Sequence, residues 1–256
     1  MAQDYSIRGK TALVTGAARR LGRATALALA GAGAGICIHY RSSEAAAEDL
    51  ARQVRALEVK AWTVRADLSV PGGGEALFSR SLEAAGTLDI LINNASIFPR
   101  QAFREITEEA LETNIRVNAS APLLLAKKFA EQVENRGSGR QGVVINVLDT
   151  HITAYHQAYA AYHISKRMLF TVTRMLALEY APRVRVNAVA PGLILPPEGE
   201  DENYLKNHSS DNPLRTHGDE ADVTSAVLFL IRSGFITGQV LYVDGGYHMK
   251  GNTYGC

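Results

Sequence analysis

The sequence contains little cysteine. Only Cys37 and Cys256 occur in 256 residues, which is too few for a disulfide framework and produces no recurrent zinc-binding spacing. Unpaired cysteines of this kind are typical of a reducing compartment. We therefore expect a cytoplasmic protein with no metal site.

The sequence also lacks an excess of either charge and a long apolar run. Its 27 Lys and Arg residues nearly balance 26 Asp and Glu, for a formal net charge of +1, whereas nucleic-acid and membrane-surface proteins usually show a basic block. The most apolar run, ALALAGAGAGICI, is too short and too rich in glycine to span a bilayer, and the first residues lack the pattern of a secretory leader. We expect a small-molecule partner, no nucleic acid and no membrane.

The chain does contain a regular alternation of short β-branched runs and longer amphipathic stretches. The short runs are TALVT, GICIHY, AWTVRA, LDILIN, GVVINVL, VRVNAVA and QVLYVD. The stretches between them predict helices that include residues 21–32, 45–57, about 107–134 and 158–180, where apolar residues recur at helical spacing. This alternation predicts βαβ units, and therefore a single α/β domain built on a parallel sheet.

One segment interrupts the alternation. Residues 191–220, PGLILPPEGEDENYLKNHSSDNPLRTHGDE, are too long and too polar for a plain connection. Loops of this length in compact domains often cover a binding site. We interpret the segment as a substrate lid, and the alternative is a surface loop without a role in binding.

Two turns point to a dinucleotide. The first predicted strand is followed by TGAARRLG, where Gly16 permits a tight turn and Gly22 permits close approach before a helix N-terminus that favours phosphate. A glycine turn before a helix can also be only a turn. The second predicted strand ends in HYRSSE, where the cation and hydroxyls of residues 41–43 suit the 2′-phosphate of NADP better than the ribose of NAD. These residues predict NADPH as the cofactor.

Seven motifs together resemble one family. In chain order they are TGAARRLG, ADL, NNAS, the Asn of RVNAS, the Tyr and Lys of YHISK, VNAVAPG and VDGG. The chain resembles the short-chain dehydrogenase/reductase family over essentially its whole length. The resemblance implies a Rossmann-like, doubly wound sheet of seven parallel strands with helices on both faces, a nicotinamide cofactor across the carboxyl ends of the strands, and a homotetramer.

The resemblance also implies roles for individual residues. The cofactor contacts are Gly16, Arg20, Leu21, Gly22, Tyr40, Arg41, Ser42, Ser43, Asp67, Leu68, Asn94, Ala95, Lys166, Pro191 and Gly192. Lys166 matches the residue that binds the nicotinamide ribose, and Asn118 matches a position that helps to hold a proton-relay water. The alternative for Asn118 is an amide satisfied at a helix kink.

Two departures from the general family pattern carry specific information. Arg20 stands where the glycine turn usually has another glycine, and Asp149 stands where the family usually has an active-site serine. Together with HY followed by a basic, serine-containing run, these departures resemble the pteridine reductase branch.

That branch gives Asp149 a chemical role. A pterin presents a C=N bond, so a hydride is added to a ring carbon while Tyr162 donates a proton to the adjacent nitrogen. Asp149 assists if its pKa is raised or if it shares a proton with Tyr162, and Lys166 is expected to lower the pKa of Tyr162. The alternative for Asp149 is a turn cap.

The remaining substrate contacts follow from the same branch. Phe98 is expected to stack on the flat pterin, Ser96 to contact its edge and Tyr159 to line the pocket, with Arg20, Asp149 and Tyr162 completing the set. For Phe98, ordinary core packing is the alternative.

The predicted function is NADPH-dependent reduction of pteridines, meaning dihydropterins and also dihydrofolate. The alternatives are a reductase specific for dihydromonapterin and a 3-oxoacyl carrier-protein or other carbonyl reductase, which Asp149 in place of serine disfavours. A non-catalytic NADP-binding regulator is disfavoured because Tyr162 and Lys166 are both intact.

Overall fold

A seven-stranded parallel sheet forms the centre of the protein. The computed structural model describes residues 5–137, 141–153, 157–197 and 199–252, so Cys256 lies outside the described residues. The strands are β1 Thr11–Val14, β2 Gly35–Tyr40, β3 Ala61–Arg65, β4 Ile90–Asn93, β5 Gly142–Val147, β6 Val184–Pro191 and β7 Val240–Val243. Their order is β3-β2-β1-β4-β5-β6-β7, and every pairing is parallel. The predicted fold class is confirmed.

Helices cover both faces of this sheet. They are α1 Arg20–Gly31, α2 Glu44–Ala56, α3 Gly73–Ala85, α4 Glu108–Ile115, α5 Ala121–Asn135, α6 Ala160–Glu179, α7 Glu202–His208 and α8 Glu220–Arg232. One core cluster joins the sheet to α1, α2 and α8, and a second joins it to α3, α5 and α6. Within the described residues, no helix combines the length and apolarity needed to cross a bilayer.

The alternation of side chains along the strands explains the two core clusters. Val14 of β1 packs into the first cluster and Leu13 into the second, because successive side chains of a strand point to opposite faces. Every residue of β5, GVVINV, is buried. Strands covered on both faces are expected to be largely apolar, and β5 agrees apart from Asn146, whose amide bonds to Asn93 and Thr173.

The strand order fixes the position of the candidate site. The chain starts at β1, moves outward to β3, and then returns to place β4 on the other side of β1. In such sheets a crevice opens beside the carboxyl ends of the strands where the order reverses. The turns after β1 to β6, which carry most of the predicted site residues, meet at this edge.

Three helical segments differ from the sequence prediction. The helix expected over residues 107–134 is α4 and α5 joined by a π-helical turn, Arg116–Ser120. Helix α3 begins with two glycines, which hide its periodicity. The segment 191–220 is not an uninterrupted loop, because it contains the end of β6, α7, a 3-10 turn at Ser209–Asp211 and the first residue of α8.

Candidate active site

Two adjoining clefts lie at the carboxyl edge of the sheet. The glycine-turn cleft, of about 400 Å³, is lined by the turn after β1 and by residues that follow β2, β3 and β4. The aspartate cleft, of about 470 Å³, is lined by Asp149 and by residues of the 191–220 segment and the C-terminal segment. Arg20 lines both clefts.

The glycine turn packs closely on itself and on the loop after β4 because two of its positions lack a side chain. Gly16 has a φ of 62°, and a Cβ on Gly22 would lie 2.3 Å from the carbonyl oxygen of Gly16. In the described part of the chain, α1 has no side-chain cap and no acid in its first turn. Its first N–H groups and positive dipole end are therefore available to an anion.

Arg20 occupies a backbone conformation that favours glycine. Its φ is 51°, which explains why the general family pattern has glycine there. The guanidinium donates a hydrogen bond to the carbonyl oxygen of Pro196 at 2.6 Å. Arg20 therefore joins the glycine turn to the segment that was predicted to be a lid.

Two buried polar residues that the sequence analysis did not select hold this turn in place. The Gly16 N–H donates to Nδ1 of His39 at 3.0 Å, and Oγ1 of Thr15 accepts from the N–H groups of Asn94 and Ala95, both at 2.9 Å. Burial lowers the pKa of His39 to about 4, so Nδ1 remains an acceptor at neutral pH. In the sequence His39 resembles an ordinary strand residue, because its proximity to the glycine turn results from the pairing of β1 with β2.

Not all of the predicted residues near the adenosine end of the crevice reach the glycine-turn cleft. Among the described residues its lining includes Arg41, Ser42, Asp67 and Leu68, but neither Tyr40 nor Ser43. The phenol of Tyr40 is buried, and its pKa is raised by burial and by the charge of Glu44. Ser43 is the N-cap of α2.

The predicted acid, phenol and ammonium lie close together at the aspartate cleft, where Asp149 lines the cleft and Tyr162 and Lys166 are buried behind it. The Tyr162 hydroxyl donates to Oδ2 of Asp149 at 2.8 Å. Nζ of Lys166 donates to the carbonyl oxygen of Val147 at 2.7 Å and lies 5.7 Å from the centre of the Tyr162 ring. Tyr162 and Lys166 share one face of α6, and Asp149 follows the end of β5, so the fold brings the three together.

The pKa of Tyr162 corrects one expectation. It is raised well above 10 by burial, by the charge of Asp149 and by the hydrogen bond to that carboxylate. The expected lowering by Lys166 does not occur, because the ammonium is itself buried and the carboxylate is nearer to the phenol. Burial lowers the pKa of Lys166 to about 8, against the opposing charge of Asp149. Tyr162 is therefore protonated at neutral pH, as a proton donor must be.

The pKa of Asp149 corrects a second expectation. Burial raises it, but hydrogen bonds from His151 and Tyr162 and the charge of His151 outweigh burial, so the pKa is lowered instead of raised. Asp149 is thus a carboxylate that accepts hydrogen bonds. The expected contact between Asp149 and Tyr162 is present, with the proton on the phenol.

His151 is the partner of Asp149 that sequence reasoning missed. Both its backbone N–H and its ring Nδ1 lie 2.7 Å from Oδ1 of Asp149. The ring also lines the aspartate cleft. The available signal was the DTH sequence, because an Asp side chain commonly accepts a hydrogen bond from the backbone two residues later.

An aromatic group stands beside this cluster. The ring of Phe98 stacks on Tyr159 with centroids 4.1 Å apart and an interplanar angle of 9°, and it meets the Tyr162 ring edge-on at 4.5 Å. Phe98 is 50% exposed, so ordinary core packing does not account for it. Tyr159 is the N-cap residue of α6 and does not lie within the helix as expected.

Asn118 connects the loop after β4 to α6 by hydrogen bonds. Its Oδ1 accepts from the Ser96 hydroxyl at 3.1 Å and the Ile97 N–H at 2.9 Å, while Nδ2 donates to the carbonyl oxygen of Ile97 and to the Ser165 hydroxyl, both at 3.0 Å. These four bonds use the hydrogen-bonding capacity of the amide. Its role in holding a water stays a prediction, as does the contact of Ser96 with a substrate edge.

The loop after β6 borders the aspartate cleft. Pro191 ends β6, and Gly192 lines the cleft. A Cβ on Gly192 would lie 2.6 Å from Cβ of Asp244, so only glycine fits there. The described residues contain no group of three or more His, Cys, Asp or Glu side chains that could hold a metal ion.

Comparisons with known proteins agree with this geometry. A family model described as enoyl-(acyl carrier protein) reductase matches residues 16–248. The chain is 34% identical over 251 residues to L-xylulose reductase of Mus musculus, covering 95% of this chain and 98% of that protein.

Two solved structures share nearly the whole chain. FolM alternative dihydrofolate reductase 1 from Brucella canis, complexed with NADP, has a TM-score of 0.90 and 28% identity, with 99% of this chain and 98% of that chain covered. The promiscuous reductase LugOII, which catalyses keto-reduction at C1 during lugdunomycin biosynthesis, has a TM-score of 0.86 and 33% identity, with 95% and 99% covered. The chain belongs to the short-chain dehydrogenase/reductase family and is an oxidoreductase.

Proposed function

We propose that this protein is an NADPH-dependent reductase of pteridines, acting on dihydropterins and with dihydrofolate as a second candidate substrate. The observation that carries the proposal is the hydrogen bond of 2.8 Å between Tyr162 and Asp149, a carboxylate at the family's serine position. A carboxylate suits the N–H groups along the edge of a pterin, whereas a serine hydroxyl suits a carbonyl oxygen.

The residues of the glycine-turn cleft fit NADPH. The tight turn that Gly16 and Gly22 permit, the uncapped start of α1 in the described chain and the nearby Arg19 and Arg20 match a pyrophosphate. Arg41 and Ser42 match a 2′-phosphate, and Lys166 matches a ribose. When bound there, NADPH supplies a hydride.

The residues of the aspartate cleft supply the proton and the orientation. Tyr162 keeps its proton because its pKa is raised, and it donates that proton to the ring nitrogen beside the reduced carbon. Asp149 accepts N–H groups of the substrate while it fixes the phenol. Phe98, stacked on Tyr159, offers an exposed flat surface on which a planar ring can stack.

The similarity to the Brucella canis alternative dihydrofolate reductase over nearly the full length of both chains supports a pteridine or folate substrate. A carbonyl reductase is the second candidate. The similarities to a keto-reducing enzyme and to L-xylulose reductase favour it, at somewhat higher sequence identity. Asp149 argues against a carbonyl reductase, because a carboxylate beside the phenol does not help to polarise a carbonyl oxygen.

A substrate panel separates these functions. We expect the native enzyme to reduce a dihydropterin with NADPH, Asp149→Asn to lose that activity, and Asp149→Ser to gain activity on a β-keto ester. Arg41→Ala should weaken NADPH binding by about 1.5–3 kcal/mol and leave NADH binding nearly unchanged. Initial rates and cofactor titrations measure each outcome. A native enzyme that reduces β-keto esters and no dihydropterin contradicts the pteridine proposal.

A further inference from the structure

A hydrogen-bonded row of three side chains lies at the wall of the aspartate cleft, which Asp149 and His151 line. The Tyr162 hydroxyl bonds to Oδ2 of Asp149 at 2.8 Å, and Nδ1 of His151 lies 2.7 Å from Oδ1 of the same carboxylate. The side chain of Asp149 is 22% exposed and that of His151 is 33% exposed. The row therefore runs from the buried phenol to an imidazole that solvent can reach.

The chemistry of the carboxylate fixes the direction of these bonds. An ionised carboxylate only accepts, so Nδ1 of His151 carries a proton and donates it. The backbone N–H of His151 donates to the same oxygen at 2.7 Å. Two donors on Oδ1 leave Oδ2 directed at Tyr162, so the orientation of Asp149 depends on the residue two positions later.

We propose that His151 is a positioning residue of the catalytic group, which holds Asp149 as a carboxylate facing Tyr162 and the substrate edge. The inference rests on the proposed reductase function and deepens it. In this arrangement His151 keeps Asp149 ionised, which the hydrogen bond between Asp149 and Tyr162 alone does not ensure.

Other ionisable groups surround His151. His163 of α6 has its ring centre 5.6 Å from that of His151, and Tyr247 of the C-terminal segment has its ring centre at 5.1 Å. Lys166 and Tyr162 act on the same carboxylate from α6. Asp149 is the anion in direct contact with the imidazole. Burial raises the pKa of Asp149, and His151 is the main cause that lowers it.

Removal of His151 leaves burial to dominate at Asp149. The carboxylate then takes up a proton at higher pH, stops accepting from Tyr162 and stops accepting from the substrate. Removing a charged or hydrogen-bonding partner of a buried acid raises its pKa by about 1–3 units. The acidic limb of the pH profile should therefore move upward by about that amount.

The test compares pH profiles of kcat/KM for a dihydropterin with NADPH. Native protein, His151→Gln and His151→Ala are measured between about pH 4.5 and pH 8, with Lys60→Gln as a control because Lys60 is exposed and directly precedes β3, at the edge of the sheet opposite the clefts. Thermal unfolding and NADPH titration at neutral pH establish that each variant is folded. We expect the acidic limb of both His151 variants to lie about 1–3 pH units above that of native protein, and the control to follow the native profile.

A rescue experiment with imidazole tests the same inference. We expect the acidic limb of His151→Ala to move back toward the native limb on addition of imidazole, which can replace the missing donor to Asp149. Folded His151 variants with a native acidic limb overturn the inference, as does a raised limb that imidazole leaves unchanged. A native enzyme without dihydropterin activity contradicts the proposed function instead, so the two failures are distinct.

Discussion

At the scale of single residues, the ammonium of Lys166 limits the pH range of the site. Its side chain is buried, and burial lowers its pKa to about 8. Above that pH the free enzyme loses the charge that is expected to hold the ribose. We predict that kcat/KM for NADPH falls about tenfold per pH unit above about pH 8. The Lys166→Arg variant stays charged, so its pH profile should not show this fall.

The free energy of unfolding should also depend on the Lys166 proton, and it should change with pH in the direction opposite to activity. The unfolded chain keeps the Lys166 proton up to its ordinary pKa of 10.5, whereas the folded chain releases it near 8. Between these values the unfolded state binds more protons, so the contribution of Lys166 to stability rises with pH. Denaturant unfolding of native protein and Lys166→Met over this range checks the sign. An activity limb and a stability change of the same sign would contradict the assignment.

The sequence reveals single residues of the site unequally. The contact between Tyr162 and Asp149 could be predicted, because helical spacing and strand order bring them together. The protonation state of Asp149 could not be predicted, because it depends on the contact with His151 and on burial, which form only once the chain has folded. Likewise Thr15 and His39 resemble ordinary strand residues in the sequence, and only their hydrogen bonds show that they hold the glycine turn.

At the scale of elements, the start of α1 depends on one glycine. A Cβ on Gly22 would lie 2.3 Å from the backbone oxygen of Gly16 and 2.5 Å from Nδ2 of Asn94. We predict that Gly22→Ala lowers the free energy of unfolding by about 1–3 kcal/mol and weakens NADPH binding by more than tenfold. Gly31→Ala at the other end of the same helix is the control, since a Cβ there meets nothing within 4 Å. Native cofactor affinity in Gly22→Ala would contradict the assigned cradle.

The alternation of strands and helices could be read from the sequence because burial on both faces requires apolar strands. The break between α4 and α5 was not predicted, although Pro122 at the start of α5 and the helix kink considered for Asn118 both indicated it. The π-helical turn is accompanied by the four hydrogen bonds of Asn118, whose partners come from the β4 loop and α6. Similarly, the polar composition of residues 191–220 concealed α7.

At the scale of the whole molecule, exposed apolar side chains remain on the outer helices. Leu178 and Met175 of α6 are 85% and 64% exposed, and Leu124 of α5 is 41% exposed. We expect these helices to be covered in a homotetramer. Leu178→Glu should reduce the mass measured by light scattering, whereas Leu57→Glu, at the C-cap of α2, should not. A monomeric native protein would contradict the expectation.

Arg20 keeps a strained backbone conformation although replacement by glycine is readily accessible to mutation. Its left-handed backbone costs on the order of 1 kcal/mol relative to glycine, and a single base change converts arginine codons into glycine codons. Mutation therefore samples the less strained residue readily, and a lineage selected for folding alone would drift to it. Arg20 borders both clefts and binds Pro196. We infer that the contacts of the Arg20 side chain offset this strain.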